Sequence, residues 1–336
     1  MDRFLKFLRF VGGPIVLIIL VVIARYLFPN KMTFLFEIST FAIYIMANDI
    51  LYGYMGMVSF GQPFYLGVGA YSAALYLAHV GHNPLIAMVL AILGGLVAAA
   101  LLGPAFIRLR GDYYALINAA TCAMGLFMVE KVMLPITRGD DGLWYRSRMH
   151  ETPLLDLRHP NDVFWFTMII LLIVLIMYTW LDRSTLGACF RAIKVNESKM
   201  KFLGYDTFKI RWIGYILMCI LAALSGSLYA INYGFVNPSI TEPARAAEVL
   251  VATLLGGPGS VYGPFFGTAA FLGLKDLVSA FMTRWELVVG IFTIIVCFYF
   301  KGGVWGTIHT IGAKIKAKRE MVSAEGPSLR EKAPRE

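Results

Sequence analysis

The residues that could carry chemistry in this chain are few, and several stand where charge is costly. Asp49 follows Asn48 inside a long apolar run, and Glu130 with Lys131 closes another. Arg245 and Glu248 are three residues apart, a spacing that suits an ion pair on one helix. Lys275 and Asp276 sit late in a further apolar run, where Lys275 can snorkel toward an interface. Burying an unpaired carboxylate costs several kcal/mol, so Asp49 should face a cavity or a cationic partner. A hydrogen-bonding role in the framework and a role in solute passage both fit Asn48 and Asp49. The polar stretch 136–161 carries Arg138, Asp140 and Asp141 ahead of Trp144, which suits a solvated loop or a docking and access surface. No HExxH, paired carboxylate or nucleophile–base set is present, and no GxxxxGK[ST] phosphate loop. No catalytic site and no metal site are expected. Cys122, Cys189, Cys219 and Cys297 are far apart and form no CxxC pair, so no disulfide framework or zinc site is expected either.

These residues are embedded in an unusually apolar chain of 336 residues, 58% hydrophobic and only 15% charged. Its mean hydropathy is +0.68. A soluble domain averages roughly 25% charged residues, so lipid is the natural solvent here. A bilayer needs about 20 apolar residues per helix. Such runs cover 11–28, 33–57, 64–80, 84–107, 114–135, 162–181, 212–233, 264–281 and 286–300, with a shorter stretch at 246–257. The expected fold is an all-α polytopic membrane protein of about ten transmembrane helices, including one short or re-entrant helix. The net charge of +9 is concentrated in short segments between the runs: Arg3 to Arg9, Arg108 and Arg110, the stretch 182–211, and the tail from Lys314. Counting spans from an inside N-terminus puts all four segments on one face, as the positive-inside rule requires. Both termini are therefore expected in the cytoplasm, and nucleic-acid binding is not expected. Residues 1–305 read as the membrane domain and 306–336 as a disordered basic tail.

Two segments call for a task. Gly53, Gly56, Gly61, Gly67 and Gly69 surround a break near Ser59–Pro63. Irregular backbone at membrane depth is tolerated only where it packs in protein or lines a wet cavity. The basic gap at 182–211 has a helical pattern from about Leu186 to Phe202, with Gly204 placed to terminate it. A second glycine group, Gly256, Gly257, Gly259 and Gly263 around Pro258 and Pro264, suggests a turn between a partial helix and the next span.

The stretch RSTLGACFRAIKVNESKMKFLGYDTFKIR resembles the cytoplasmic coupling segment of branched-chain amino acid ABC importer permeases. The positions that match are Arg183, Ser184, Gly187, Ala192, Ile193, Lys194, Asn196, Glu197, Leu203 and Gly204, while Ser198, Lys199 and Met200 stand where that family has alanines. LYGYMGMVSFGQPFYLGVGAY (51–71), LRGDYYAL (109–116), ITRGDDGL (136–143) and LLGGPGSVYGPFFGTA (254–269) resemble further elements of the family in the same order. Met57 and Gln62 depart from its usual Gln and His. The resemblance implies a pore-forming subunit that pairs with a second homologous permease, binds two cytoplasmic ATPase subunits and receives solute from a periplasmic substrate-binding protein. ATP and Mg would then belong to the ATPases, with no cofactor on this chain. It implies an ATPase-coupling role for Arg191, Lys194, Asn196, Glu197 and Gly204. The translocation path would involve Asn48, Asp49, Ser59, Gln62 and Tyr71, with Arg138, Asp140 and Asp141 at the outer face. The expected solutes are branched-chain or related amino acids, with urea or short amides as the alternative within the family. The rival of another class is a secondary transporter driven by an ion gradient, for which Asp49 is the one credible carboxylate.

Overall fold

A computed structural model describes residues 2–27, 31–145, 159–282, 285–299 and 302–307 of the chain. Among them are twelve α-helices and a single two-stranded ribbon. The helices are α1 (Asp2–Leu27), α2 (Met32–Asp49), α3 (Gln62–Leu75), α4 (Pro84–Phe106), α5 (Asp112–Phe127), α6 (Leu134–Thr137), α7 (Pro160–Arg183), α8 (Thr185–Phe202), α9 (Thr207–Tyr233), α10 (Ala244–Gly256), α11 (Gly263–Ser279) and α12 (Trp285–Tyr299). Every apolar run expected from sequence falls on one of them. The ribbon pairs β1 (Leu143–Trp144) with β2 (Phe235–Val236) in antiparallel register.

Five helical stretches are long and apolar enough to cross a membrane: Met32–Tyr54, Pro84–Phe106, Asp112–Val132, Asn161–Arg183 and Thr207–Tyr233. They differ in where they sit. The stretch containing α2 is 89% buried within the protein, whereas those of α4 and α5 are only 22% buried. An outer face rich in Leu and Val, as on α4, costs nothing against lipid. α2 is thus the central post, wrapped by α7, α9, α10 and α11. α3 and α9 pack the most closely. At Gly69 a β-carbon would strike the backbone of Ala223, and at Gly226 the backbone of Leu66. Small residues bring these backbones together where apolar attraction between helices is weak.

α10 has 13 residues, about 20 Å at about 1.5 Å per residue, which falls short of a hydrocarbon core of about 30 Å. It is the short helix expected at 246–257, and it folds back onto α11 through the Gly257–Tyr262 turn. The turn is closed from the far end of the chain: Trp305 stacks on Phe266 at 5.0 Å and lies 5.2 Å from Tyr262. The side chains of Arg3, Lys6 and Arg9, residues 146–158 and residues 308–336 lie outside the described residues.

Candidate functional site

Glu37, Thr40, Tyr44 and Asn48 recur at spacings of three and four along α2 and therefore share one of its faces. At the deep end, Asn48 Nδ2 donates to Thr253 Oγ1 of α10 (2.8 Å) and Gln62 Nε2 of α3 donates to Asn48 Oδ1 (2.6 Å). All three side chains are buried, so this chain of bonds pins three helices at one point. Gln62 Oε1 is left without a partner among the described residues. Asp49, one position on, is fully buried and turns to other elements. It accepts from Tyr178 Oη of α7 (2.7 Å) and from the Gly259 N–H in the α10–α11 turn (2.8 Å).

Immediately after Asp49 the helix widens into a π-helical turn, Ile50–Tyr54, and then gives way to the break before α3. Such turns free backbone carbonyls from the helical ladder. The Gly53 carbonyl accepts from Lys194 Nζ of α8 at 2.7 Å. Tyr54 Oη donates to Asp182 Oδ1 at 2.8 Å, and the same oxygen accepts from Arg191 Nη1 at 2.7 Å. A side chain at Gly53 would collide with Asp49 and with the Gly259 backbone, so only glycine admits this junction.

The basic segment folds as read, with one difference. α8 begins at Ser184, whose Oγ accepts from Gly187 N–H (3.1 Å). It ends with Gly204 in the left-handed region (φ 85°) and bonds from Gly204 N to Lys201 O and from Tyr205 N to Met200 O. That pair is a Schellman termination. The single helix expected from Leu186 to Phe202 is interrupted at Asn196 (φ −163°, ψ 98°), where Oδ1 caps the Lys199 N–H at 3.0 Å. Glu197 faces its own chain: its Oε1 accepts from Arg110 Nη2 and Thr207 Oγ1 (3.1 Å each) and lies 3.3 Å from Lys201 and 3.8 Å from Arg211. Burial opposes its ionisation, but Arg211, Thr207, Arg110 and Lys201 together outweigh that and hold the carboxyl below its ordinary value. Arg191, Lys194 and Glu197 thus anchor the segment, while Val195, Phe202 and Leu203 stand 85%, 92% and 73% exposed beside them. Sequence reading took Leu203 only as a position matching the family pattern and Phe202 only as the helix end, and gave Val195 no role, because it weighed the charges. Their signal was the presence of large apolar side chains in a lysine-rich stretch.

Residues 30–298 match the model of the family described as branched-chain amino acid transport system, permease component. The chain belongs to that family. It is 26% identical over 280 residues to the high-affinity branched-chain amino acid transport system permease protein LivM of Salmonella typhimurium, covering 74% of this chain and 64% of that protein. It is 24% identical over 257 residues to the high-affinity branched-chain amino acid transport system permease protein BraD of Pseudomonas aeruginosa, covering 72% of this chain and 82% of BraD. It is 29% identical to the autoinducer 2 import system permease protein LsrC of Yersinia pseudotuberculosis, covering 64% of this chain and 56% of LsrC. The chain thus spans less than two thirds of the length of LivM. No solved structure matches it.

In this permease the remaining expected residues lie apart from the Asn48–Gln62 junction. Ser59 Oγ accepts from Gly61 N–H (3.3 Å) and helps shape the break between α2 and α3. Tyr71 lines a separate, mostly apolar cleft with Phe64, Met128 and Met133. Arg138, Asp140 and Asp141 are exposed on the turn that leads into β1. Arg138 holds a left-handed φ of 60°, and the ribbon ties this turn to the end of α9, with Tyr145 Oη donating to Ala230 O at 2.8 Å. The expected Arg245–Glu248 ion pair does not form. Glu248 instead pairs with Lys275 across α10 and α11 (2.9 Å), and Arg245 donates from Nε to Ser239 O (3.1 Å). The close packing of α10 on α11 gives Glu248 a nearer cation than its own helix does, so Lys275 pairs there and does not snorkel.

Proposed function

We propose that this permease is the pore-forming subunit of an ATP-driven importer of branched-chain or related amino acids in a bacterial inner membrane. It pairs with a second homologous permease, works with two cytoplasmic ATPases that hold ATP and Mg, and takes solute from a periplasmic binding protein. No reaction is catalysed on this chain. Both termini and α8 face the cytoplasm, following the distribution of Lys and Arg.

The observation that carries this reading is the direct attachment of α8 to the polar end of α2. Lys194 holds the Gly53 carbonyl, and Arg191 with Asp182 holds Tyr54, one turn from Asn48 and Asp49. A surface helix bolted to the central post can pass a displacement into the membrane. The exposed Val195, Phe202 and Leu203 supply an apolar grip for the ATPase, and Arg191, Lys194, Asn196, Glu197 and Gly204 keep that grip in place. ATP binding then shifts the balance between outward- and inward-open states. Arg138, Asp140 and Asp141 form part of the outer docking face, and Asn48, Gln62 and Asp49 border the path. Ser59 and Tyr71 act on that path indirectly, through the break and the α3–α5 cleft.

The test is solute-stimulated ATP hydrolysis and uptake by the reconstituted complex, with Phe202→Asp and Leu203→Asp beside the native chain. Loss of ATPase binding, stimulation and uptake together supports the reading. Uptake that persists without ATPases and follows an imposed proton or sodium gradient would overturn it in favour of a secondary transporter.

A further inference from the structure

α10, α11 and α12 leave a groove between them at the end of the bundle remote from α8. Lys31, just before α2, joins Asp276, late in α11, at that end (2.7 Å), whereas α8 grips the opposite end of α2 at Gly53. The groove encloses about 380 Å³. That falls within the range of about 300–1,000 Å³ typical of small-molecule sites. Its floor is apolar, built from Val251, Phe271 and Val289. Gly290 helps to keep it open, since a β-carbon there would meet nothing within 4 Å.

The rim carries the opposite character, with Glu242, Glu248 and Glu286 all on it. Only Glu248 is answered: Lys275 Nζ lies 2.9 Å away, and the same ammonium sits 4.5 Å from the centre of the Trp285 ring. Glu242 and Glu286 are exposed, and among the described residues neither has an ion pair or a side-chain hydrogen bond. Two such carboxylates on an open surface would be ordinary solvated groups. Here they stand over an apolar slot, and α12 carries exposed Leu287, Ile291 and Ile294 beside it. A face of that kind is at home among acyl chains. Trp285, at the level of the carboxylates, is the residue type that settles at headgroup depth. The ligand that matches both halves is an amphiphile, cationic at one end and aliphatic at the other.

We propose that this groove holds a membrane phospholipid with a primary ammonium headgroup, phosphatidylethanolamine. The ammonium donates to Glu242 and Glu286, and the start of an acyl chain lies against Val251, Phe271 and Val289. A rim of three carboxylates against one ammonium repels an anionic headgroup, so the same charges that attract one lipid class reject another. A choline headgroup has the positive charge but no N–H to donate. The site concerns the lipid around the permease and is independent of the solute it carries.

The experiment places the assembled complex in nanodiscs of phosphatidylethanolamine, phosphatidylglycerol and phosphatidylcholine at equal mole fractions, with bromine on the acyl chains of one class at a time. Bromine quenches tryptophan only at short range, and the difference between the native chain and Trp285→Phe isolates the emission of Trp285. Quenching should report phosphatidylethanolamine enriched about fivefold over phosphatidylglycerol, the size that two exposed charge contacts give, with phosphatidylcholine also well below it. Glu242→Gln combined with Glu286→Gln should bring the three lipids to equal quenching, and both side chains are exposed, so the fold does not depend on them. Mass-spectrometric typing of the lipid that the native complex retains through detergent washing makes the same comparison without any substitution. Equal quenching by the three lipids, or a preference that survives the double variant, overturns the proposal. So does the absence of any quenching at Trp285, the result a partner permease seated in the groove would give. Uptake is not a readout here, so either outcome leaves the importer reading where it stands.

Discussion

At the scale of single residues, the decisive group is Asp49. A fully buried carboxylate survives only through the donors aimed at it, here the Tyr178 hydroxyl and the Gly259 N–H. Tyr178→Phe removes one donor without changing shape, so the cost is that of an under-satisfied buried acceptor, about 1–3 kcal/mol. A lower thermal midpoint for the detergent-purified complex should show it. Gly53→Ala acts on the same junction by a different route, pressing a methyl group against Asp49 and the Gly259 backbone. Because backbone cannot move aside as a side-chain tip can, about 1–3 kcal/mol of destabilisation is expected, together with slower uptake. If Gly53→Ala left both stability and transport unchanged, the tight α2–turn contact would be wrong. Asp49 was conspicuous in the sequence because it interrupts an apolar run. Glu37 interrupts the same run and carried the same signal, but only the fold placed it opposite Arg245.

The element that matters most is α8. Its break at Asn196 separates a segment bolted to α2 from a final turn that presents Phe202 and Leu203. Asn196→Ala removes the cap on Lys199 N–H and favours a continuous helix, which would swing that final turn. The cap itself is worth about 1 kcal/mol. Hydrolysis measured beside uptake should show more ATP consumed per solute imported. Glu197 gives the element a dependence on pH. Its folded carboxyl titrates below the ordinary value of 4.5, so the stability it contributes is fully present above that pH and is lost as the pH falls through the folded value. Native protein should therefore exceed Glu197→Gln in stability at neutral pH. The gap should close in more acidic buffer, and a gap independent of pH would rule out the ionic anchor. The helix, its start and its Gly204 terminus were legible because caps are local chemistry. The break at Asn196 was not, since it depends on where Lys194 and Glu197 find partners on the turn after α2, the α4–α5 loop and α9.

For the whole molecule, the arrangement is a buried post surrounded by helices that grow more lipid-facing outward. The same charges that dictated the expected topology also predict access. In intact cells, Asp141→Cys should react with an impermeant thiol reagent, and Tyr205→Cys should react only after permeabilisation. The opposite pattern would invert the protein and remove α8 from the ATPase side. The contrast between α2 and α4, both apolar and both long enough to span, shows why burial could not be read from composition: lipid and protein interior accept the same side chains.

By itself the sequence determined that the chain lives in a membrane, roughly where its helices run, and that a basic segment lies between two of them. Those features follow from local hydropathy, helix termini and charge, which need no partner to be expressed. Only the tertiary structure decided which helix stands at the centre, that Glu248 answers to Lys275 and not to Arg245, and that Lys194 reaches the Gly53 carbonyl. Each of these is a choice among several partners of equal chemistry, and distance across the fold is what selects one.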